Sequence, residues 1–229
     1  QFPRRTWPNV LQPFEDEPRL VQVFQTYKDW LTIMGVGNVT SLNPAIVGGR
    51  ASEVILVAEA LHERQLASIA RAIASRQPSV RLVAVSGPTS AGKTTFAKRL
   101  ALQVMAQGIY PVIISLDDYF VDREATPLDP TGAYDFEALE ALDLALFQSD
   151  MCRLMAGEEV LLPRYNFKTG RREVGSPLSI GKNHVILIEG IHGLNPRLAE
   201  GLPESATFRV FISAFTQMNL DKHNRVPTT

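Results

Sequence analysis

The 229-residue chain is 45% hydrophobic and 21% charged, which supplies a core for one generous domain, or a domain with a smaller companion, and excludes bulk disorder. A net charge of -1 argues against a protein whose main task is coating nucleic acid, although a local basic groove stays open. Cys152 is the single cysteine, so no internal disulfide or cysteine-rich metal site exists; a reducing, cytoplasmic setting is expected, with Cys152 a small core filler.

No stretch reaches the ~18 uncharged apolar residues of a membrane span, and the opening "QFPRRTWPNV" lacks the apolar run of a signal peptide. No membrane partner is expected. The chain has no initiator Met and stops at "NRVPTT" without a closing element, which reads as a piece of a longer protein.

In "PRLVQVFQTYKDWLTIMG", Leu20, Val23, Phe24, Tyr27, Trp30 and Leu31 recur near helical spacing, which predicts a helix with one packing face. The stretch "GVGNVTSLNPAIVGG" (35–49) is rich in turn formers and predicts a loop with at most a short element. "ASEVILVAEALHERQLASIARAIASR" is free of Gly and Pro and predicts a helix of about 25 residues with Ser52 as a candidate cap. His62 on this helix has no metal partner at i+4 and reads as a surface residue.

From Val80 onward short apolar runs alternate with helices. They are "VRLVAVSG", a helix over 93–107 ended by Gly108, "YPVIISLDD", a helix over 136–156, "EVLLPRYNF", "HVILIEG", a short helix over 194–200, and "TFRVFISA". That alternation predicts an α/β fold, a mainly parallel sheet with helices on both faces, behind a mostly helical N-terminal segment, and the phosphate-loop motif described next makes it the P-loop NTPase type. The boundary is expected at "RQPS", giving residues 1–77 as the tail of a larger upstream region and 78–229 as the P-loop domain, incomplete at its C-terminus.

Gly87, Gly92, Lys93 and Thr94 fit G-x-x-x-x-G-K-[ST] between a predicted strand and a predicted helix, the context a true phosphate loop requires. Backbone N–H groups and the helix N-terminus then face phosphate oxygens. Lys93 is expected at the terminal phosphates and Thr94 on Mg²⁺, with Thr89, Ser90, Ala91 and Thr95 completing the nucleotide-binding set. Glu189 closes the apolar run "VILIEG" and is the candidate acid for Mg²⁺ or its water shell; a plain strand-end carboxylate is the alternative. His192 just beyond reads as a structural or positioning group.

The run "VIISLDDYF" brings Asp117 and Asp118 to the sheet edge that carries the phosphate loop. A carboxylate there orients an acceptor hydroxyl and takes its proton during phosphoryl transfer, which favours a kinase over a motor or a switch. Asp117, nearer the strand, is the candidate base; Mg²⁺ ligation by both acids, or a solvated loop, are the alternatives. "TGAYDFEALEAL" sets Tyr134, Asp135, Phe136 and Glu137 at the mouth of a helix, where a carboxylate can accept from sugar hydroxyls. "LPRYNFKTGRRE" places Tyr165 and Phe167 beside Arg164, Lys168, Arg171 and Arg172, a pairing suited to stacking on a base and steadying phosphate, or simply packing next to an exposed turn. Asp118, Tyr119, Glu137, Tyr165 and Arg172 form the expected acceptor side.

In this order and with similar separations, "GPTSAGKTT", "SLDDYF", "GAYDFE", "LPRYNFKTGRR" and "VILIEGIHGL" resemble the uridine kinase and phosphoribulokinase family over residues 80–215. The resemblance implies an ATP- and Mg²⁺-dependent kinase acting on a sugar hydroxyl. It matches Asp117 to the catalytic aspartate, Glu189 to the Mg²⁺-associated acid, Tyr165 to the aromatic near the nucleobase, and Glu137 to a ribose-binding position commonly held by Asp. Gly170 stands where uridine kinases tend to have a His that contacts the pyrimidine, which leaves the acceptor open. The family continues into an arginine-rich lid beyond the point where this sequence stops, so the chain alone is expected to bind ATP and turn over poorly. Some longer members carry an N-terminal region similar to parts of threonyl-tRNA synthetase, and residues 1–76 resemble the tail of such an extension, with packing or tethering as its role.

The expected activity is therefore phosphorylation of a nucleoside 5′-OH. Its rivals are a kinase for a sugar phosphate or a pantothenate-like alcohol, and an ATP-binding regulatory module fused to RNA-related domains. A small-molecule acceptor is the expected partner, homo-oligomerisation is open, and no nucleic acid is expected at the kinase domain.

Overall fold

The computed structural model describes residues 18–213, 219–221 and 224. They form two compact units that divide at Glu59/Ala60, with 219–221 and 224 belonging to the first. In that first unit α1 (Pro18–Met34) and α2 (Val39–Val47) lead into α3 (Ala51–Ala74). Leu31, Met34, Val36 and Ala45 form its core, with Tyr27, Trp30, Leu42, Val54 and Val57 packed around them.

The turn formers of 35–49 conceal a helix. Asn38 Oδ1 accepts from Ser41 N at 2.8 Å while Ser41 Oγ accepts from Asn38 N at 3.1 Å, a reciprocal cap that starts α2. Two of its first-turn amides, Val39 N and Thr40 N, donate to the carbonyls of Asn219 and Leu220. Pro44 is accommodated within this short helix. Helix α3 begins at Ala51 with Val54 N donating to the Arg50 carbonyl, so Ser52 lies in its first turn and does not cap it.

The second unit is built on four parallel strands in the order β2-β5-β1-β6: β1 (Leu82–Ser86), β2 (Tyr110–Ser115), β5 (His184–Glu189) and β6 (Thr207–Phe211). The central strands are buried on both sides, as their unbroken apolar runs require. Alternation along β1 divides the core. Val83 and Val85 join Leu66, Ala70 and Ile73 of α3 and Leu100, Ala101 and Val104 of α4 (Lys93–Met105). Leu82 and Ala84 face Phe147, Met151 and Leu154 of α5 (Leu144–Ala156). Helices thus cover both faces of a parallel sheet.

Three differences from the sequence expectation bear on the site. Strand β2 ends at Ser115, so Asp117 and Asp118 sit on the following 3-10 turn, Leu116–Tyr119, with Ser115 as its cap. Helix α5 starts at Leu144 and not at 136, because Asp143 caps it by accepting from Leu146 N at 3.0 Å; residues 134–138 are therefore loop. In "KTGRR" the residues 168–170 are the expected turn, whereas Arg171 and Arg172 open a further strand: β3 (Val160–Asn166) and β4 (Arg171–Leu178) form an antiparallel hairpin beside the parallel sheet. Cys152 is exposed on α5, one position past the buried Met151, so it does not fill the core.

Candidate active site

The parallel order places the C-terminal ends of β1, β5 and β2 side by side, the edge at which open α/β sheets take their ligands. Register fixes the neighbours: Glu189 pairs with Val85 on one side and with Ser115 on the other. Beyond β1 the loop from Gly87 to Gly92 leads into α4. A side chain at Gly87 would collide with the Ile212 carbonyl, so the loop leaves the sheet where only glycine fits. Ser90 is held at φ 62, and α4 begins behind Gly92 with no side chain capping its first amides. Those amides are the donors that phosphate would take.

A cleft of about 570 Å³ opens over this edge. Its phosphate-loop wall is Thr89, Ser90, Gly92, Lys93, Thr94 and Thr95; Asp117 and Glu189 form its floor; Phe120, Phe136, Glu137 and Ile191 complete it. Gly87 and Ala91 shape the loop without lining the cleft. Lys93 Nζ donates to the Pro88 carbonyl at 2.9 Å, which holds the ammonium over its own loop. Thr94 Oγ1 and Ser115 Oγ both donate to Glu189 Oε1 at 3.1 Å. Thr89 Oγ1 donates to Glu137 Oε1 at 3.2 Å, joining the phosphate loop to the opposite wall.

Asp117 is open to the cleft, yet the surrounding protein raises its pKa above the ordinary carboxylate value; Glu189 and Asp118 raise it further and Lys93 opposes them. That direction suits a group that accepts a proton. The Thr94 hydroxyl and the Glu189 carboxylate, brought together at 3.1 Å, are hard oxygen donors, which fits Mg²⁺. Among the described residues no group of three or more His, Cys, Asp or Glu is arranged to hold a metal ion by itself.

The expected acceptor side separates into two sets. Glu137 lines the cleft. Asp118, Tyr119, Tyr165 and Arg172 do not, and each has a structural engagement. Asp118 Oδ1 accepts from Tyr165 N at 3.1 Å and ties the Asp117 turn to β3. Tyr119 is fully buried, its hydroxyl donating to Asp150 Oδ2 at 3.1 Å and its ring edge-on to Phe147 at 5.1 Å. Tyr165 is buried and packs against Phe120 at 5.5 Å and Phe167 at 5.1 Å. Arg172 pairs with Asp143 at 2.8 Å, the residue that caps α5.

Phe120, Ile191 and Ser115 belong to the site and were not singled out from the sequence. Phe120 was legible in principle, since it follows Asp117 by three residues on one turn. His192, next to Ile191, buries its Nε2 without a hydrogen-bond partner. Gly170 adopts φ +70 in the hairpin turn, and a side chain there would meet Arg123 at 2.8 Å. Arg123 in turn donates from its backbone to the Gly170 carbonyl and from its guanidinium to the Phe167 carbonyl.

The family model for the phosphoribulokinase / uridine kinase family matches residues 82–223, which contain the whole of this site. The chain belongs to that family. It is 28% identical over 149 residues to uridine kinase-like protein 5 of Arabidopsis thaliana, covering 64% of this chain and 30% of that protein. It is 26% identical over 133 residues to a uridine kinase of Mycoplasma pneumoniae, covering 58% of this chain and 60% of that protein. The chain spans less than two thirds of the length of these relatives. A solved structure described as a possible uridine kinase from Bacillus stearothermophilus superposes with a TM-score of 0.47 at 23% identity, covering 58% of this chain and 70% of that one. Among the described residues no helix is long and apolar enough to cross a membrane.

Proposed function

We propose that this family member transfers the γ-phosphate of Mg²⁺-bound ATP to a hydroxyl of an uncharged nucleoside, the 5′-OH of a uridine- or cytidine-like acceptor. The observation that carries the proposal is Asp117 in one cleft with Lys93, Thr94 and Glu189, facing a wall made of Glu137, Phe120 and Phe136. The phosphate loop and α4 take the triphosphate, and Thr94 with Glu189 would hold the cation. When bound, Mg²⁺ offsets charge on the β- and γ-phosphates.

Asp117 accepts the proton of the acceptor hydroxyl as that oxygen forms its bond to the γ-phosphorus; the bond from the γ-phosphorus to the bridging oxygen breaks, and ADP leaves with the electron pair. Lys93 follows the charge onto the phosphate oxygens. Glu137 accepts from a further sugar hydroxyl, and the Phe120 and Phe136 rings, edge to face at 77°, offer an apolar wall to a base.

The distribution of cations supports an uncharged acceptor. Among the described residues that line the cleft, Lys93 is the one cation and it belongs to the phosphate loop. Arg172 is held by Asp143, Arg171 approaches Glu124 at 3.7 Å, and Arg123 is held by the Phe167 carbonyl. Among the described residues that line the cleft, a phosphorylated sugar would meet the Glu137 and Asp117 carboxylates and no cation beyond the Lys93 of the phosphate loop. Labelled ATP incubated with uridine, cytidine, ribulose 5-phosphate and pantothenate tests the choice. Product from the nucleosides is expected; product from the phosphorylated sugar alone would overturn it.

A further inference from the structure

We infer that Ser115 is a positioning residue whose hydroxyl holds the Glu189 carboxylate at the cation site and ties it to the turn that carries Asp117. The inference rests on the reading of Glu189 as the Mg²⁺-associated acid and goes beyond it by naming what keeps that acid in place.

Three contacts carry it. Ser115 and Glu189 are register partners on adjacent parallel strands, which brings their side chains together at the strand ends. Ser115 Oγ donates its one proton to Glu189 Oε1 at 3.1 Å. The same oxygen accepts from Asp117 N at 3.4 Å, so the hydroxyl links the acid on β5 to the backbone of the base.

Thr94 offers Glu189 Oε1 a second donor, also at 3.1 Å, but from the first turn of α4, where its oxygen is the residue's means of reaching a cation. A Thr hydroxyl that turns its lone pairs to Mg²⁺ shares its attention between cation and carboxylate. Ser115 has no such second duty, because it does not line the cleft. Glu189 is only 6% exposed, and without the Ser115 hydroxyl its carboxylate is aimed by the Thr94 donor alone among the described residues. Strand β2 delivers the donor and α4 delivers the ligand, and the acid between them keeps one aim.

The test reads Mg²⁺ dependence without turnover: calorimetric binding of a non-hydrolysable ATP analogue to the full-length protein across Mg²⁺ concentrations and in EDTA. Ser115→Ala is expected to raise the Mg²⁺ concentration needed for half of the metal-dependent gain by about ten- to a hundredfold, the loss of one hydrogen bond to a charged group. Binding in EDTA should stay within about twofold, because the phosphate loop is untouched. Ser115→Thr keeps the hydroxyl on a β-favouring residue and should restore the wild-type dependence. Wild-type Mg²⁺ dependence in Ser115→Ala, or equal impairment in Ser115→Ala and Ser115→Thr, would overturn the proposal. Glu189→Ala separates the two levels: loss of Mg²⁺ dependence there with none in Ser115→Ala removes Ser115 alone. Unchanged dependence in Glu189→Ala removes the assignment of Glu189 and the role of Ser115 with it.

Discussion

Tyr119 is two residues from the proposed base, and its neighbourhood in sequence suggests an acceptor contact; its neighbourhood in space is the core. Tyr119→Phe removes one hydroxyl and leaves the ring against Phe147. What it strips is the donor to Asp150, a carboxylate only 3% exposed. Leaving a buried acceptor without its donor costs about 1–3 kcal/mol. At about 2–4 °C per kcal/mol for a chain of this size, the melting temperature should fall by about 2–12 °C.

The deficit also has a pH signature. Burial raises the Asp150 pKa above its ordinary value and the Tyr119 hydrogen bond opposes that rise. Above the ordinary carboxylate pKa the unfolded state ionises Asp150 more readily, so its burial costs stability there and costs nothing where both states are protonated. Losing the hydroxyl raises the folded pKa further, so the loss should be larger at pH 7.5 than at pH 4. Urea denaturation at both pH values, with acceptor KM measured in parallel, decides the matter. A lower midpoint with unchanged KM is expected; an unchanged midpoint with a raised acceptor KM would return Tyr119 to the acceptor site and refute its placement in the core.

Three further outcomes follow from the same geometry. Gly170→His should destabilise the hairpin without improving pyrimidine use, because φ +70 disfavours a side chain and Arg123 occupies its space; tighter uridine binding in the variant would contradict this. The acid limb of kcat should lie above the ordinary carboxylate range, and in the residual activity of Glu189→Gln it should move to lower pH, since the charge that raises Asp117 is gone; a limb that stays put would detach the limb from Asp117. Leu66→Ala, in the part of α3 that packs on the sheet, should cost about 2–5 kcal/mol in chemical denaturation, whereas a negligible loss would remove α3 from that core.

The parallel sheet was legible because β1 and β5 are apolar on both faces, the one leading into the phosphate loop and the other ending at Glu189. What composition hid was local capping. Asn38 and Ser41 make a helix out of a run that reads as turns, and Asp143 delays α5 by using a carboxylate inside an apparently helical pattern. Strand β4 escaped notice because it is a hairpin strand with little burial, so its sequence carries no apolar alternation. The site divided along similar lines. Residues on the phosphate loop and at strand ends converge because the parallel order brings those ends together. Tyr119, Tyr165 and Arg172 sit in motifs as suggestive as those of Glu137, but which way a side chain faces depends on tertiary partners, Asp150, Phe120 and Asp143, that are distant in the chain.

The most direct test of the central claim is phosphate transfer to uridine and cytidine by the full-length protein and by its Asp117→Asn variant. The variant should lose transfer by about 10²–10⁴-fold while binding the ATP analogue normally. Its melting temperature at neutral pH should be no lower than the wild type's, because a carboxylate with a raised pKa is replaced by a neutral group. Transfer that survives in Asp117→Asn would contradict the role given to Asp117, and nucleotide binding without transfer to either nucleoside by the wild type would contradict the proposed reaction.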